Sequence, residues 1–130
     1  MSNVKLRIKG NSLRLRVARS ELARLSAGER VEEAIHFAPA PEAVLRYTLG
    51  VDFTSEDVHV RYSAGEIAVS VSSEQVRVWN EERQVGIYAM LDLGSVGTLE
   101  IAIEKDFACL DGSDEDNHDT FVNPLEGKAC

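Results

Sequence analysis

Strict alternation of apolar and basic side chains at the start of the chain is the feature that most restricts its fold. Residues 4–9 read Val-Lys-Leu-Arg-Ile-Lys and residues 13–17 read Leu-Arg-Leu-Arg-Val, with Gly10, Asn11 and Ser12 between them. A period of two places alternate side chains on opposite faces of a β-strand, and the intervening residues favour a tight turn. The pattern therefore predicts a β-hairpin with one apolar face and one basic face.

Six further segments continue this β pattern along the chain. They are residues 31–37, 44–49, 58–62, 66–71, 85–91 and 99–104. Residues 20–25 and 73–79 break the alternation and predict two short helices, the first capped by Ser20 and closed by Gly28. Because tight turns join most neighbouring strands, we expect antiparallel pairing. The sequence predicts a mainly β fold (α+β), an antiparallel curled sheet or small barrel of about eight strands with two short helices.

The chain is organised as one domain. Its 130 residues are too few to build two separate hydrophobic cores. We expect residues 1–105 to form the antiparallel β domain and residues 106–130 to form an acidic C-terminal tail packed on the same domain. The sequence shows no internal repeat.

The overall charge restricts the partners. The 14 basic and 22 acidic side chains leave a formal net charge of -8, which disfavours general binding to nucleic acid or to an anionic membrane. No apolar run reaches the length of a membrane span, and the first residues lack the apolar stretch of a secretory leader. We therefore predict a cytoplasmic protein with no membrane partner.

Basic residues are nevertheless concentrated before Glu21, the first acidic residue of the chain. A local basic face can bind an anion or an acidic partner even on an acidic protein. The candidates for such binding are Lys5, Arg7, Lys9, Arg14, Arg16, Arg46 and Arg61. Two arrangements stay open. The charged face of the sheet either faces solvent, or it lines a closed barrel that holds a phosphate-rich ligand, as in the triphosphate tunnel enzymes. The Glu-x-Glu-x-Lys strand that opens those enzymes is missing here.

The chain after the last predicted strand is rich in carboxylates and carries the remaining candidates for chemistry. A divalent metal site is one interpretation, because carboxylate, imidazole and thiolate groups are metal ligands. The candidate ligands are Cys109, Asp111, Glu115, Asp116, His118 and Asp119, with Cys130 as a further sulfur. Their spacing does not match a compact zinc finger or a calcium loop. The other interpretation is a tail that apolar residues fasten to the domain; no other cofactor is evident.

The sequence favours a non-enzymatic binding or interaction module over an enzyme. It contains no glycine-rich phosphate loop, no compact His-Glu-His motif and no nucleophile elbow, so the catalytic residues are unknown. The partner on this interpretation is an unknown protein or a small anionic ligand, and a homodimer joined by sheet edges is a further prediction. The alternatives are a metal- or small-ligand-binding domain using the Cys109 to Asp119 region, and a phosphate-ligand enzyme with a charged barrel interior.

Two segments together resemble a family of small bacterial proteins of unknown function. Residues 9–16 read KGNSLRLR, and residues 104–111 read EKDFACLD and are followed by Glu115-Asp116 and Asn123-Pro124. The resemblance spans nearly the whole chain. It implies a bacterial cytoplasmic protein of about this length, and it supplies no activity, cofactor or partner.

Overall fold

Eight strands and two short α-helices make up the described part of the chain. The computed structural model describes residues 4–107 and 120–121. In chain order the elements are β1 (Lys5–Ile8), β2 (Ser12–Val17), α1 (Arg19–Ser26), β3 (Val31–His36), β4 (Val44–Asp52), β5 (His59–Ser63), β6 (Glu66–Ser72), α2 (Ser73–Trp79), β7 (Gly86–Asp92) and β8 (Thr98–Lys105). The predicted mainly β fold of eight strands and two helices is confirmed.

The strands form two four-stranded sheets. Sheet 1 has the order β1-β2-β8-β7 and sheet 2 has the order β3-β4-β6-β5. Each of the four hairpins is antiparallel, as predicted, but β2 runs parallel to β8 and β4 runs parallel to β6. No turn joins the strands of these central pairs, so turn length gives no information on their direction. The strands of the described residues do not close into a barrel.

The apolar faces of both sheets are buried in one core. Leu15, Val17, Leu49, Val71 and Ile103 are among its fully buried residues. The charged face of each sheet points outward, so the alternative of a charged barrel interior is wrong. The physical reason is that burying these apolar side chains stabilises the fold, whereas burying the charges would cost several kcal/mol each.

The helices lie where the chain passes from one sheet to the other. α1 connects β2 to β3 and buries Leu22 and Leu25, and α2 connects β6 to β7 and buries Val76 and Trp79. The predicted cap Ser20 is wrong, because α1 begins one residue after Ala18.

The strand register shows an internal duplication that the sequence does not show. The β1–β2 pair Lys5↔Arg16 recurs in β5–β6 as His59↔Ser70, 54 positions further along. The central pairs match with the same offset, since β2–β8 and β4–β6 also have equivalent registers. The chain is therefore two copies of a hairpin–helix–hairpin unit. Each copy contributes its first hairpin to one sheet and its second hairpin to the other, so the two copies are intertwined.

Candidate functional site

Sheet 1 turns a basic surface to solvent, which we call the cationic face. It consists of Lys5 and Arg7 on β1, Arg14 and Arg16 on β2, and Lys9 at the turn between them. The antiparallel register sets Lys5 beside Arg16 and Arg7 beside Arg14. Neighbouring strands lie about 4.8 Å apart, and alternate residues of one strand lie about 6.8 Å apart. The Cα atoms of these four residues therefore form the corners of a compact quadrilateral.

Glu104 on β8 is the carboxylate that contacts both arginines of β2 on the cationic face. The parallel register places it beside Arg16. Its Oε1 atom lies 3.3 Å from Nε of Arg14 and 4.0 Å from Nε of Arg16. Its Oε2 atom accepts a 2.7 Å hydrogen bond from the hydroxyl of Tyr88 on β7. One carboxylate therefore links β2, β8 and β7 across the sheet surface.

The remaining cations have fewer partners. Nζ of Lys5 lies 2.8 Å from Oδ2 of Asp106, a buried carboxylate that is 5% exposed. Arg7 forms no ion pair with any residue in the described part of the chain. With Glu104 shared between two arginines, the cationic face keeps an excess of positive charge.

A groove of about 410 Å³ continues the cationic face across sheet 1 to β7. Arg14 on β2 lines one side, Tyr88 and Met90 on β7 line the other, and Glu100 and Ala102 on β8 lie between them. Tyr88 is 58% exposed and Met90 is 67% exposed. The groove therefore joins Arg14 of the cationic face to an apolar wall.

Gly86 keeps this surface open beside Glu104, its partner across the β7–β8 register. A Cβ atom at Gly86 would stand 2.4 Å from the carbonyl oxygen of Ile103 and 3.0 Å from Cγ of Glu104. A larger residue would force the sheet or the Glu104 side chain to move. The glycine thus allows Glu104 to reach both Tyr88 and the arginines.

The electrostatics of the site hold Tyr88 in its protonated form. Burial raises the pKa of Tyr88 to about 12, and the hydrogen bond to Glu104 and the negative charge of Glu104 act in the same direction. Arg14 acts in the opposite direction. At neutral pH the tyrosine is therefore a stable hydrogen-bond donor to Glu104.

The chain can now be placed among known proteins. Its sequence matches one family over residues 4–125. The chain belongs to DUF7009, a family of unknown function. Neither a curated protein nor a solved structure gives a significant match. Membership of DUF7009 confirms the resemblance to a family of unknown function and assigns no activity.

The structure divides the predicted basic residues of this DUF7009 protein between two surfaces. Five of the seven, the residues of the cationic face, lie together on sheet 1. Arg46 on β4 and Arg61 on β5 lie on the outer face of sheet 2 instead. The structure places these two groups on different sheets, and only the cationic face on sheet 1 is dominated by one sign of charge.

Sheet 2 carries a groove of its own, about 820 Å³ in volume. Arg30 and Arg61 line it together with Asp52 and Glu66, so both signs of charge alternate there. Hydrogen bonds from the side chain and backbone of Thr54 lower the pKa of Asp52. This mixture gives sheet 2 no preference for an anion, and the cationic face remains the stronger candidate.

The predicted metal ligands fall outside the described residues. They are Cys109, Asp111, Glu115, Asp116, His118 and Asp119, and Cys130 lies outside as well. Within residues 4–107 and 120–121, no group of three or more histidine, cysteine or acidic side chains is arranged to hold a metal ion. The metal site therefore stays a prediction, and so does the packing of the acidic tail.

Two residues of the site are absent from the predicted set. Tyr88 and Met90 face the same side as the cationic face, but they belong to a predicted strand without charges. The signal that was available is their period-two spacing, which places both on the outward side of β7. Their position next to Arg14 depends on the β2–β8 pairing, which local sequence does not encode.

Buried polar groups near the end of β8 have structural partners. Nζ of Lys105 donates a 2.9 Å hydrogen bond to the carbonyl of Glu81 and lies 5.3 Å from the centre of the Phe121 ring. Burial lowers the pKa of Lys105. The backbone N–H of Phe121 donates to the carbonyl of Asp106, and the ring contacts Phe107 edge to face. These contacts fasten Phe121 to the domain.

No helix within the described residues is long and apolar enough to cross a membrane. The cytoplasmic location stays a prediction.

Proposed function

We propose that this protein is a non-enzymatic binding module that holds an acidic segment of a partner protein against the cationic face. The observation that carries the proposal is the excess of positive charge on sheet 1, where Arg7 has no ionic partner in the described part of the chain and two arginines share Glu104. Guanidinium groups bind carboxylates through paired hydrogen bonds, so exposed arginines in adjacent strands favour a partner with several carboxylates.

The spacing of the cations supports an extended segment. Arg7 and Lys5 are two residues apart on β1, as are Arg14 and Arg16 on β2. Alternate side chains of an extended peptide repeat about every 6.8 Å, which equals the repeat of the strands beneath it. A segment with glutamate or aspartate at every second position therefore places its carboxylates in register with the arginines.

The apolar wall of the groove favours a protein partner over a nucleic acid. Tyr88 and Met90 offer exposed apolar surface on the same face, which an apolar side chain of a peptide covers. Glu100 and Glu104 interrupt the track of positive charge that a phosphate backbone needs, and the net charge of -8 repels a long polyanion. These features together support a short acidic segment with apolar residues.

Fluorescence anisotropy with a labelled synthetic peptide tests the proposal. The probe alternates glutamate and leucine, and unlabelled polyglutamate and duplex DNA serve as competitors. We expect binding that weakens with added salt, and the charge reversals Arg7→Glu and Arg14→Glu together should weaken it about tenfold or more.

The matched control reverses the two basic residues of the other sheet. Arg46→Glu with Arg61→Glu changes the net charge of the protein by the same amount but leaves the cationic face intact. We expect this control to bind the peptide nearly as well as the unchanged protein. Equal losses in both double variants, or duplex DNA that displaces the peptide at lower concentration than polyglutamate, would contradict the proposal.

A further inference from the structure

The edge of sheet 1 formed by β7 has an unpaired set of backbone groups. The backbone N–H of Lys105 donates to the carbonyl of Val85, and the N–H of Leu93 donates to the carbonyl of Gly97. Because hydrogen bonding alternates along an antiparallel pair, the odd-numbered residues of β7 face β8 and the even-numbered residues face away. Among the described residues, no strand pairs with this outer side, and a cleft of about 580 Å³ separates β7 from residues 57–60.

β7 differs from the other three edge strands in charge. Charged or titratable side chains protect each of the others, which is the common defence against pairing with another chain. They are Lys5 and Arg7 on β1, Glu32, Glu33 and His36 on β3, and His59 and Arg61 on β5. β7 has none from Gly86 to Leu91.

Because of the internal duplication, β7 has an equivalent strand in the first unit with which it can be compared directly. β3 is the counterpart of β7 in the first unit, because Val31 pairs with Leu49 as Ile87 pairs with Ile103. On this alignment β3 and β7 are 56 positions apart, two more than the other equivalent strands, and Glu32 occupies the place of Tyr88. One fold position thus carries a protecting charge in one half of the molecule and an exposed aromatic side chain in the other.

We propose that β7 pairs antiparallel with β7 of a second copy of this chain, about a twofold axis through Ala89. This register sets Tyr88 opposite Met90 of the second copy and Ile87 opposite Leu91. Both contacts join apolar side chains, and the first packs together the flanks of two residues that are 58% and 67% exposed in the single chain, so their outward surfaces still line the groove of each copy. At each end of the paired segment, Gly86 of one copy lies opposite Asp92 of the other and leaves room for its side chain.

The alternation of backbone groups agrees with this register. Tyr88 and Met90 both face away from β8, so the pair Tyr88–Met90 exchanges two backbone hydrogen bonds and recurs on the other side of the axis. The two copies of sheet 1 then form one eight-stranded sheet, with both cationic faces on the same side. Five strand spacings separate the two copies of β2, or about 24 Å.

Sedimentation velocity of the full chain from micromolar to millimolar concentration tests the proposal. We expect a reversible monomer–dimer equilibrium. Met90→Lys should shift the equilibrium to monomer by about tenfold or more in dissociation constant, because it places two like charges near the axis. Ala34→Lys is the matched control, since Ala34 is the counterpart of Met90 on β3, and it should leave the dimer unchanged.

The register is tested separately by cross-linking. In a Cys109→Ser, Cys130→Ser background, Ala89→Cys should form a disulfide between two chains, because a residue on the axis lies opposite itself. If circular dichroism shows that the Met90→Lys variant does not fold, the Tyr88→Lys variant replaces it. The amine introduced at position 88 lies near the carboxylate of Glu104, which keeps the charge compatible with the fold. A single monomer mass at all concentrations, or a dimer that the folded lysine variant leaves intact, would overturn the proposal.

Discussion

Tyr88 shows how a single residue couples the apolar and basic parts of the surface. Its ring forms part of the apolar wall, and its hydroxyl donates to Glu104, the carboxylate that Arg14 and Arg16 share. The pKa of Tyr88 lies above its ordinary value because burial and the Glu104 carboxylate both oppose the phenolate. The contact is therefore stable only while the phenol keeps its proton.

This coupling predicts a pH dependence with a defined direction. Since the folded-state pKa of Tyr88 is raised from 10.0 to about 12, its contribution to the free energy of unfolding is complete below pH 10 and is lost as the pH rises towards 12. Ultraviolet difference titration should show a phenolate that forms near pH 12 and disappears in Tyr88→Phe, whereas Tyr47, whose pKa is also raised by burial, still titrates in that variant. Glu104→Gln should lower that pKa part of the way, because burial, the larger cause, remains. A Tyr88 phenolate that forms near pH 10 would contradict this assignment.

At the scale of elements, the two helices begin at equivalent positions with different caps. In α2 the backbone N–H of Ser72 donates to the side chain of Gln75, and the backbone N–H of Gln75 donates to the hydroxyl of Ser72. In α1 the backbone N–H of Ala18 donates to Oε1 of Glu21 at 2.8 Å, but alanine has no hydroxyl to accept the returning bond. α1 therefore has one half of the capping box that α2 has in full.

The missing half predicts a stabilising substitution. Ala18→Ser should add the hydroxyl that Ser72 supplies at the equivalent site and raise the free energy of unfolding by about 0.5–2 kcal/mol, and Ser72→Ala should lower it by a similar amount. Urea unfolding of both variants measures the two changes. Both positions are buried, so a loss of stability in Ala18→Ser would show that the α1 site is too tightly packed to accept the oxygen.

The same scale shows what local sequence encodes. The strands can be predicted because alternation and turn residues act over a few positions. The Ala64-Gly65 turn, in which both residues have positive φ, is one such local feature, and it joins β5 to β6. The start of α1 was misplaced because Ala18 carries no capping side chain. The parallel pairing of β2 with β8 could not be predicted, because it joins opposite ends of the chain without a turn.

For the whole molecule, this long-range pairing also limits how much of the site the sequence reveals. The period of two placed Lys5, Arg7, Arg14 and Arg16 on one face correctly. It could not show that Tyr88 completes that face beside Glu104, since β7 and β8 reach it only through the β2–β8 pairing. It also could not separate Arg46 and Arg61 from the others, because one alternating pattern describes the outer faces of both sheets.

The intertwined halves predict that neither folds without the other. Sheet 1 combines β1 and β2 with β7 and β8, so a break between β4 and β5 leaves each fragment with two hairpins and no complete sheet. We expect fragments 1–55 and 56–130 to be largely unfolded separately and to regain β-sheet circular dichroism when mixed, with a stability that rises with concentration.

Trp79 reports this association, because it is 1% exposed in the intact chain and lies in the second fragment. Its emission should shift to shorter wavelength when the first fragment is added. The matched control carries Leu49→Asp in the first fragment, which puts a charge in the centre of the core and should abolish the shift. If fragment 56–130 alone showed the short-wavelength emission and unfolded cooperatively, the second unit would be a domain in its own right, and the exchange of hairpins would not be what holds the two sheets together.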